Sequence, residues 1–267
     1  MNDLAILEAG LLNIPQVGCD VIHRFGPGLY IREVFIPAGT FAIGHRQKTR
    51  HMNIMLKGRV TIVNDDGTTT ELVAPHMFVG EPGRKCGYIH EDMVWQNIYA
   101  TTETDVETLE KMFLDKSDCW EEHNKVRLLQ NNLDQKDFCV ALEEFGLTEE
   151  IARTQSEDAR DQIPFPFGGY KVAVSDSPIE GKGLFATANI KPGEIIAPAR
   201  IEGKRTPAGR FTNHSQNPNA KMVMTGQNID LVASRSIGGC LGGALGEEIT
   251  IDYRQALSLS RERVCQQ

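Results

Sequence analysis

The chain of 267 residues is long enough for two domains of ordinary size, and its share of hydrophobic residues, 40%, is typical of a globular protein. Its 28 basic and 36 acidic side chains give a net charge of −8, which argues against a broad phosphate-binding surface and against nucleic acid as a partner. The six cysteines are scattered without a Cys-x-x-Cys pair, so a reducing, cytoplasmic compartment is expected. Neither a secretion signal nor an apolar stretch of membrane-spanning length stands out, so no membrane association is expected.

Short apolar stretches separated by turn residues dominate the first hundred residues. The strand-like stretches after Tyr30 are 31–36, 52–56, 59–63, 70–73, 77–79, 86–89 and 94–100. Many short strands with polar turns between them predict an antiparallel barrel or sandwich. We therefore predict a β-barrel domain at residues 1–114.

A helical stretch follows this barrel. Thr104 and Glu107 fit a capping box at a helix start, and Thr148 precedes a further helix that opens with two glutamates. A run rich in proline and glycine then interrupts all regular patterns shortly before residue 168. These features predict a short helical linker at 115–167 and a second domain at 168–267.

The second domain again reads as β-rich. Its strand-like stretches are 171–174, 183–186, 194–196, 228–233 and 248–251. Glycines are concentrated in the connection that precedes the last of them, which predicts a flexible loop there. The whole chain is therefore predicted to be mainly β, with helices confined to the linker and the tail.

The stretch 39–58 resembles the first motif of the cupins, in which two His and a Glu bind a metal inside a small β-barrel. The spacing holds from the first glycine through His45, Gln47 and His51 to the last glycine, with Gln47 at the second His and His51 at the Glu. The resemblance covers about residues 30–100 and implies a cupin-like antiparallel barrel. It also implies these three side chains as ligands of a divalent metal, which two imidazoles and an amide oxygen can hold.

A barrel without metal is the alternative for this module. In that case His45 and His51 are hydrogen-bonded residues of the interior or the rim. The module would then be a scaffold, a ligand-binding barrel or an oligomerisation module, and the cupin resemblance implies a homodimer as one such assembly.

Three blocks near the C-terminus share a further resemblance. Block 180–186 holds a glycine turn, block 210–219 reads Arg-Phe-Thr-Asn-His-Ser-Gln-Asn-Pro-Asn, and block 246–253 reads Gly-Glu-Glu-Ile-Thr-Ile-Asp-Tyr. In this order they resemble the SET-domain protein-lysine methyltransferases, over about residues 168–257. The resemblance implies a compact SET-like β-fold in which the Asn-His-Ser segment forms a pseudoknot beside the Asp-Tyr segment.

The SET resemblance implies an enzyme that transfers a methyl group from S-adenosyl-L-methionine to a lysine of a protein substrate. The acidic balance of the chain is compatible with a basic substrate protein. The resemblance assigns Tyr253 as the catalytic residue, with its hydroxyl at the methyl-transfer site. The residues to which it assigns cofactor binding are Lys182, Gly183, Leu184, Asn213 and His214.

Two alternatives to a methyltransferase stay open. The interval between Phe185 and Phe211 is short for the family, so part of one wall of the substrate and cofactor clefts is missing from this SET-like domain. The chain is then a non-catalytic binding or assembly protein that uses both β-rich modules as surfaces. The other alternative is a cupin metalloprotein that acts on a small molecule.

Overall fold

The computed structural model describes residues 3–63, 67–128 and 133–265. Strands account for most of the regular structure, which confirms the prediction of a mainly β protein. The chain forms two compact units, which we call the barrel unit, after the barrel predicted for its sequence, and the C-terminal unit. The barrel unit consists of Met1–Arg127, Phe167–Lys171 and Gly239–Leu245. The C-terminal unit consists of Leu128–Pro166, Val172–Gly238 and Gly246–Gln267.

Antiparallel strands form the frame of the barrel unit. They are β1 (Val21–Gly26), β2 (Leu29–Ile36), β3 (Phe41–Ile43), β4 (Arg46–Gln47), β5 (His51–Val63), β6 (Thr69–Val73), β7 (His76–Gly80), β8 (Cys86–Ala100), β9 (Leu114–Asp115) and β10 (Gly168–Tyr170). The helices are α1 (Asp3–Leu12), α2 (Val106–Phe113) and, up to the unit boundary, α3 (Asp118–Leu128). The main sheet has the order β10-β1-β2-β8-β5-β6, with β3 added to β8 and β7 added to β5.

Strand β5 differs from the prediction of two separate strands at 52–56 and 59–63. It runs without a break through Gly58, and only its register with β8 shifts there. Gly58 has a φ of 100°, and a Cβ at this position would lie 2.7 Å from the backbone oxygen of Asp92. Glycine therefore allows a bulge and a close approach of β8, where the sequence pattern alone suggested a turn.

Of the two helix starts predicted from the sequence, one is shifted by a residue and the other is confirmed. The capping residue of α2 is Asp105, whose side chain accepts a hydrogen bond from the Thr108 amide, so the assignment to Thr104 was wrong by one residue. Thr148 caps the next predicted helix as expected, because its hydroxyl accepts from the Ile151 amide. Aspartate and threonine both satisfy the free amides of a first turn, so the choice between neighbours depends on backbone geometry.

The C-terminal unit combines two four-stranded sheets with short helices. Its strands are β11 (Val172–Asp176), β12 (Lys182–Ala186), β13 (Ile195–Ile201), β14 (Lys204–Arg205), β15 (Asn213–His214), β16 (Ala220–Thr225), β17 (Asn228–Ala233) and β18 (Glu248–Ile251). Its helices are α4 (Leu133–Glu144), α5 (Glu149–Glu157), α6 (Pro207–Arg210) and α7 (Tyr253–Cys265), with a 3₁₀ turn at Ala159–Asp161. The sheets have the orders β11-β12-β18-β15 and β14-β13-β17-β16.

The first of these sheets brings the three C-terminal blocks together. Strand β15 runs parallel to β18, with Asn213 opposite Thr250, and β12 pairs with β18 on its other side. The Asn-His-Ser segment thus lies directly beside the strand that leads into the Asp-Tyr pair. Within the described part of the chain, no helix is both long and apolar enough to cross a membrane.

Candidate functional site

The barrel unit contains a half-open cavity of about 530 Å³, within the usual size range of small-molecule pockets. Much of its wall is aliphatic, from strands β1, β2, β5 and β8: Val21, Val34, Ile36, Val60, Ile62 and Ile89. The polar side chains in the wall include Arg32, His45, Gln47, His51, Asn53 and Trp120. An apolar chamber with a few polar groups is the usual form of a ligand site.

His51 presents an unshared lone pair in this wall. Its ring is only 5% exposed, and Nδ1 lies 2.9 Å from the backbone oxygen of Thr49. A carbonyl oxygen only accepts, so Nδ1 carries the hydrogen and Nε2 is the bare nitrogen. Nε2 is buried and has no hydrogen-bond partner among the described residues. Burial lowers the pKa of His51, which favours this neutral form.

Asn53 presents an unshared donor close to that lone pair. Its Oδ1 accepts from Trp95 Nε1 at 3.0 Å and from Asn97 Nδ2 at 2.8 Å, which fixes the amide orientation. Its Nδ2 is therefore the unbonded end of the amide, which is buried near Gly80 and finds no partner in the described chain. A Cβ on Gly80 would lie 2.3 Å from this Nδ2 and 3.1 Å from His51 Nε2, so glycine leaves room for both groups.

His45, Trp120 and Arg32 add three further buried polar atoms. The rings of His45 and Trp120 meet edge to face, with centroids 4.8 Å apart. His45 Nδ1, Trp120 Nε1 and Arg32 Nε all lack a partner within the described residues. Burial, followed by the nearby charges of Arg32 and Lys116, lowers the pKa of His45 to about 3, so its imidazole is neutral at physiological pH.

The predicted metal ligands do not form a set that fits a resident metal. His45 and His51 each have a ring nitrogen to offer, but Gln47 Oε1 accepts a 2.6 Å hydrogen bond from the Tyr99 hydroxyl. Among the described residues, no cluster of three or more His, Cys, Asp or Glu side chains is arranged to hold an ion. With Gln47 already bonded to Tyr99, two imidazoles remain, one fewer than the three protein ligands of a typical catalytic zinc site.

In the C-terminal unit, the side-chain amide of Asn213 is hydrogen-bonded to other residues of the unit. Its Nδ2 lies 2.9 Å from Ser177 Oγ, 2.8 Å from Glu248 Oε1, and 3.1 and 3.2 Å from the backbone oxygens of Glu180 and Lys182. The amide thus closes the loop between β11 and β12 against β18. An amide nitrogen has two hydrogens, so these acceptors leave it none for a cofactor.

Both nitrogens of His214 are engaged as well. The ring is fully buried, its Nε2 donates to Asp137 Oδ2 at 2.6 Å, and its Nδ1 accepts from the Tyr253 amide at 3.1 Å. Arg254 contacts both oxygens of Asp137. The hydrogen bonds from Arg254 and from His214 lower the pKa of the Asp137 carboxyl to about 2. The network ties α4, β15 and the start of α7 together.

The first block is also occupied by internal contacts. Lys182 forms an ion pair with Asp176 at 2.8 Å, and Leu184 is buried with its backbone between two paired strands. The close approach that Gly183 permits is used by the Glu248 carboxylate, since a Cβ there would lie 2.3 Å from Glu248 Oε1. The glycine accommodates a neighbouring side chain in this structure.

Tyr253 begins α7 beside the Asn-His strand. Its hydroxyl donates to the backbone oxygen of Thr212 at 3.2 Å, and its ring packs against those of Phe138 and His214. Burial raises the pKa of Tyr253 to about 12, so the phenol stays protonated at neutral pH. The residues predicted from the SET blocks therefore lie in one sheet and at the start of α7, and their polar side chains bond mainly to other residues of the C-terminal unit, such as Ser177, Glu248 and Asp137.

Comparison with known proteins gives matches among solved structures alone. No family model matches the chain, and no curated protein matches it. An RmlC-like cupin with a double-stranded β-helix fold from Methanocaldococcus jannaschii is 14% identical, over 31% of this chain and 81% of that one, with a TM-score of 0.27. A cupin domain from Bordetella pertussis Tohama I is 14% identical over 33% and 99% of the two chains, with a TM-score of 0.28.

A third similar structure is an ectoine synthase from P. lautus. It is 15% identical over 39% of this chain and 85% of that one, with a TM-score of 0.29. Each of these similarities extends over a minor part of the present chain.

Proposed function

We propose that the protein is a non-catalytic binding protein whose barrel unit takes a small organic molecule into its cavity. One observation carries this proposal: five buried polar atoms without partners line the same chamber. They belong to Arg32, His45, His51, Asn53 and Trp120. Buried polar groups are nearly always hydrogen-bonded, and each one left unpaired costs about 1–3 kcal/mol. A bound molecule that pairs with several of them recovers that cost.

A small change of cavity volume tests the proposal. Ala42 lines the chamber, whereas Ala100 is exposed at the end of β8 in the same unit. Ligand-observed NMR with a mixture of small organic fragments is expected to show binding to the wild type and to Ala100→Leu. Binding should be weaker or lost in Ala42→Leu, because leucine fills part of the chamber. Fragments that bind all three proteins alike would place their site outside the cavity and contradict the proposal.

The second candidate is the methyltransferase, favoured by the pairing of β15 with β18 beside Tyr253. In this proposal the barrel unit assists by dimerisation or by presenting a basic protein substrate. The fit to S-adenosylmethionine is poor, because the amide of Asn213 and the ring of His214 already have internal partners. Calorimetry with millimolar S-adenosylmethionine decides: measurable binding that is lost in Asn213→Ala supports this candidate, and the absence of heat removes it.

The metalloprotein alternative has its own measurement. Elemental analysis of the purified full chain is compared with that of the double variant His45→Ala, His51→Ala. Metal that is present in the wild type and absent from the variant would support a metal held by the barrel. Equal metal content in both proteins would exclude His45 and His51 as ligands. Dimerisation through the barrel unit is a separate question, which sedimentation of the wild type answers.

A further inference from the structure

We propose that the cavity ligand is a small organic acid, bound through its carboxylate to the polar groups and through its apolar body to the aliphatic wall. This inference rests on the proposed binding function and names the chemical class of the ligand. It follows from the type of the unpaired atoms, the balance of charge around the chamber and the composition of the wall.

Most of the unpaired atoms can only donate. Arg32 Nε, Asn53 Nδ2 and Trp120 Nε1 carry hydrogens and have no acceptor role. Asn53 is only 1% exposed, and its orientation is fixed by the two donors that hold its oxygen. The cavity therefore calls for a ligand rich in acceptors. His51 Nε2 is an acceptor and suits a hydroxyl or similar donor on the same ligand.

The charge around the chamber favours an anion. Glu8 is held by Arg84 through both carboxylate oxygens, and Glu110 pairs with Lys116 at 2.6 Å, so each acid has its own base. Arg32 forms no ion pair with an acid in the described part of the chain, although its field reaches several buried groups. One positive charge thus remains in the wall without a dedicated counter-ion.

The field of these cations is also felt by the two imidazoles. Burial is the main cause of the lowered pKa of His45 and of His51. At His45, Arg32 and Lys116 add to this effect and Glu110 opposes it, and at His51 Lys85 adds to it. A ligand cation would meet the same unfavourable potential. A carboxylate meets a favourable one, and bonds from a charged donor to a carboxylate are roughly twice as strong as bonds between neutral groups.

The aliphatic part of the wall sets the rest of the ligand. Val21, Val34, Ile36 and Ile62 surround the chamber together with the core of the barrel unit. A hydrocarbon body in contact with these side chains is removed from water, which is favourable in proportion to its area. A purely inorganic anion would leave this wall unfilled, so the structure assigns an acid with an organic body.

Three probes of one shape test the class on the full chain: hexanoate, 1-hexanol and hexylamine. Calorimetry at neutral pH is expected to show hexanoate binding about tenfold to a hundredfold more tightly than 1-hexanol, as a charge-assisted hydrogen bond predicts. Hexylamine should bind more weakly than either. Equal affinities for all three would overturn the organic acid while leaving a binding cavity in place. If none of the three probes binds, and no fragment of the mixture binds either, the proposed function is overturned as well.

Asn53→Asp is the sharpest variant. The aspartate keeps an oxygen for Trp95 and Asn97 but replaces the unpaired donor with a negative oxygen. Hexanoate binding should then fall at least about tenfold, with hexylamine now preferred. The control is Asn228→Asp, which makes the same charge change in the C-terminal unit, where Asn228 Oδ1 accepts from a backbone amide. An unchanged preference in Asn53→Asp would overturn the proposal.

A second variant keeps the test decisive if the buried aspartate impairs folding. Trp120→Phe removes an unpaired donor and adds no charge, so folding is expected to be preserved. Hexanoate binding should weaken several-fold, whereas 1-hexanol binding should change little. A parallel loss for both probes would indicate a change of shape alone and would contradict the role of the indole as a donor to the acid.

Discussion

Replacement of Asp137 by Asn is expected to destabilise the C-terminal unit while leaving the barrel unit unchanged. The carboxylate accepts from His214 Nε2 at 2.6 Å and from both terminal nitrogens of Arg254 at 3.0 and 3.3 Å. Because His214 Nδ1 accepts from the Tyr253 amide, the ring hydrogen must be on Nε2 and must point at Asp137. An asparagine keeps one acceptor and places an amide group against the remaining donors.

The expected magnitude follows from the exposure of each partner. Arg254 is 32% exposed and keeps Glu144 at 2.6 Å, so its share is about 0–1 kcal/mol. His214 is fully buried, and its Nε2 loses a charged acceptor, which is worth about 1.5–3 kcal/mol. Together these give a loss of about 1.5–4 kcal/mol at neutral pH. With a typical urea dependence of about 1–3 kcal/mol per molar, the unfolding midpoint moves by about 1 M.

The pH dependence of the unfolding free energy provides a second test of the same prediction. The pKa of Asp137 is about 2 in the folded chain, against 3.8 for an unperturbed aspartate. A lowered folded-state pKa means that the stabilisation is fully present above 3.8 and is lost as the pH falls through about 2. The difference between the wild type and Asp137→Asn should therefore be constant near neutrality and shrink in strong acid.

Hydrogen exchange of peptides from β15 and β18, pulsed at increasing urea concentration, measures the C-terminal unit. Both tryptophans of the chain, Trp95 and Trp120, lie in the barrel unit, so their fluorescence reports the unaffected part of the molecule. The control is Asp176→Asn, at a side chain that is 81% exposed in its ion pair. Equal midpoints for Asp137→Asn and Asp176→Asn would refute the reasoning about the buried network.

Three further changes have equally defined outcomes. Gly58→Ala places a Cβ 2.7–2.9 Å from backbone atoms and should cost about 2–4 kcal/mol in tryptophan-monitored urea unfolding, whereas Gly39→Ala, with a similar φ and free space, should cost about 1–2 kcal/mol. Equal costs would contradict the clash. Gly183→Ala should cost about 2–3 kcal/mol in hydrogen exchange, and Glu248→Ala in the same chain should recover part of it, so strictly additive effects would contradict the contact. Burial lowers the pKa of His23 to about 4 and that of His45 to about 3, against 6.5 for an unperturbed histidine. Acidification from pH 6.5 should therefore remove about 2 kcal/mol per histidine from the barrel unit by pH 5, and a constant fluorescence midpoint from pH 7 to 5 would contradict this.

Local patterns in the sequence were enough for the β-rich character of the chain and for several of its strands. The same patterns misplaced the break in β5, because glycine marks both turns and bulges and only the opposite strand decides between them. In the C-terminal unit, the resemblance named Asn213 and His214, and the structure places both on β15 beside β18. Their hydrogen-bond partners, Asp137 and Glu248, could not be predicted. Both lie far away in the chain, and a pattern of burial does not identify which distant side chains are in contact.

Only some of the polar residues that line the barrel cavity could be predicted from the sequence. The spacing of a known motif singled out His45 and His51, but nothing comparable marked Arg32 or Trp120. Asn53 did leave a signal: β5 buries alternate residues from His51 onward, and Asn53 takes the next inward position. A polar residue in the inward register of a strand must either find a partner or face a polar chamber, so Asn53 indicates a polar interior as the imidazoles do.

The two units differ in how they treat their buried polar groups, and this difference indicates where a ligand binds. In the C-terminal unit, the amide nitrogen of Asn213 and both ring nitrogens of His214 are bonded to other residues of the unit, so a cofactor would have to displace internal bonds. In the barrel unit, Asn53, His51 and Trp120 keep unpaired atoms around a chamber with room for a molecule. Displacing existing bonds costs about what the new ones return, whereas pairing unmet ones is a net gain. A ligand of the wild-type chain is therefore expected first in the barrel, even though the stronger sequence motif lies in the C-terminal unit.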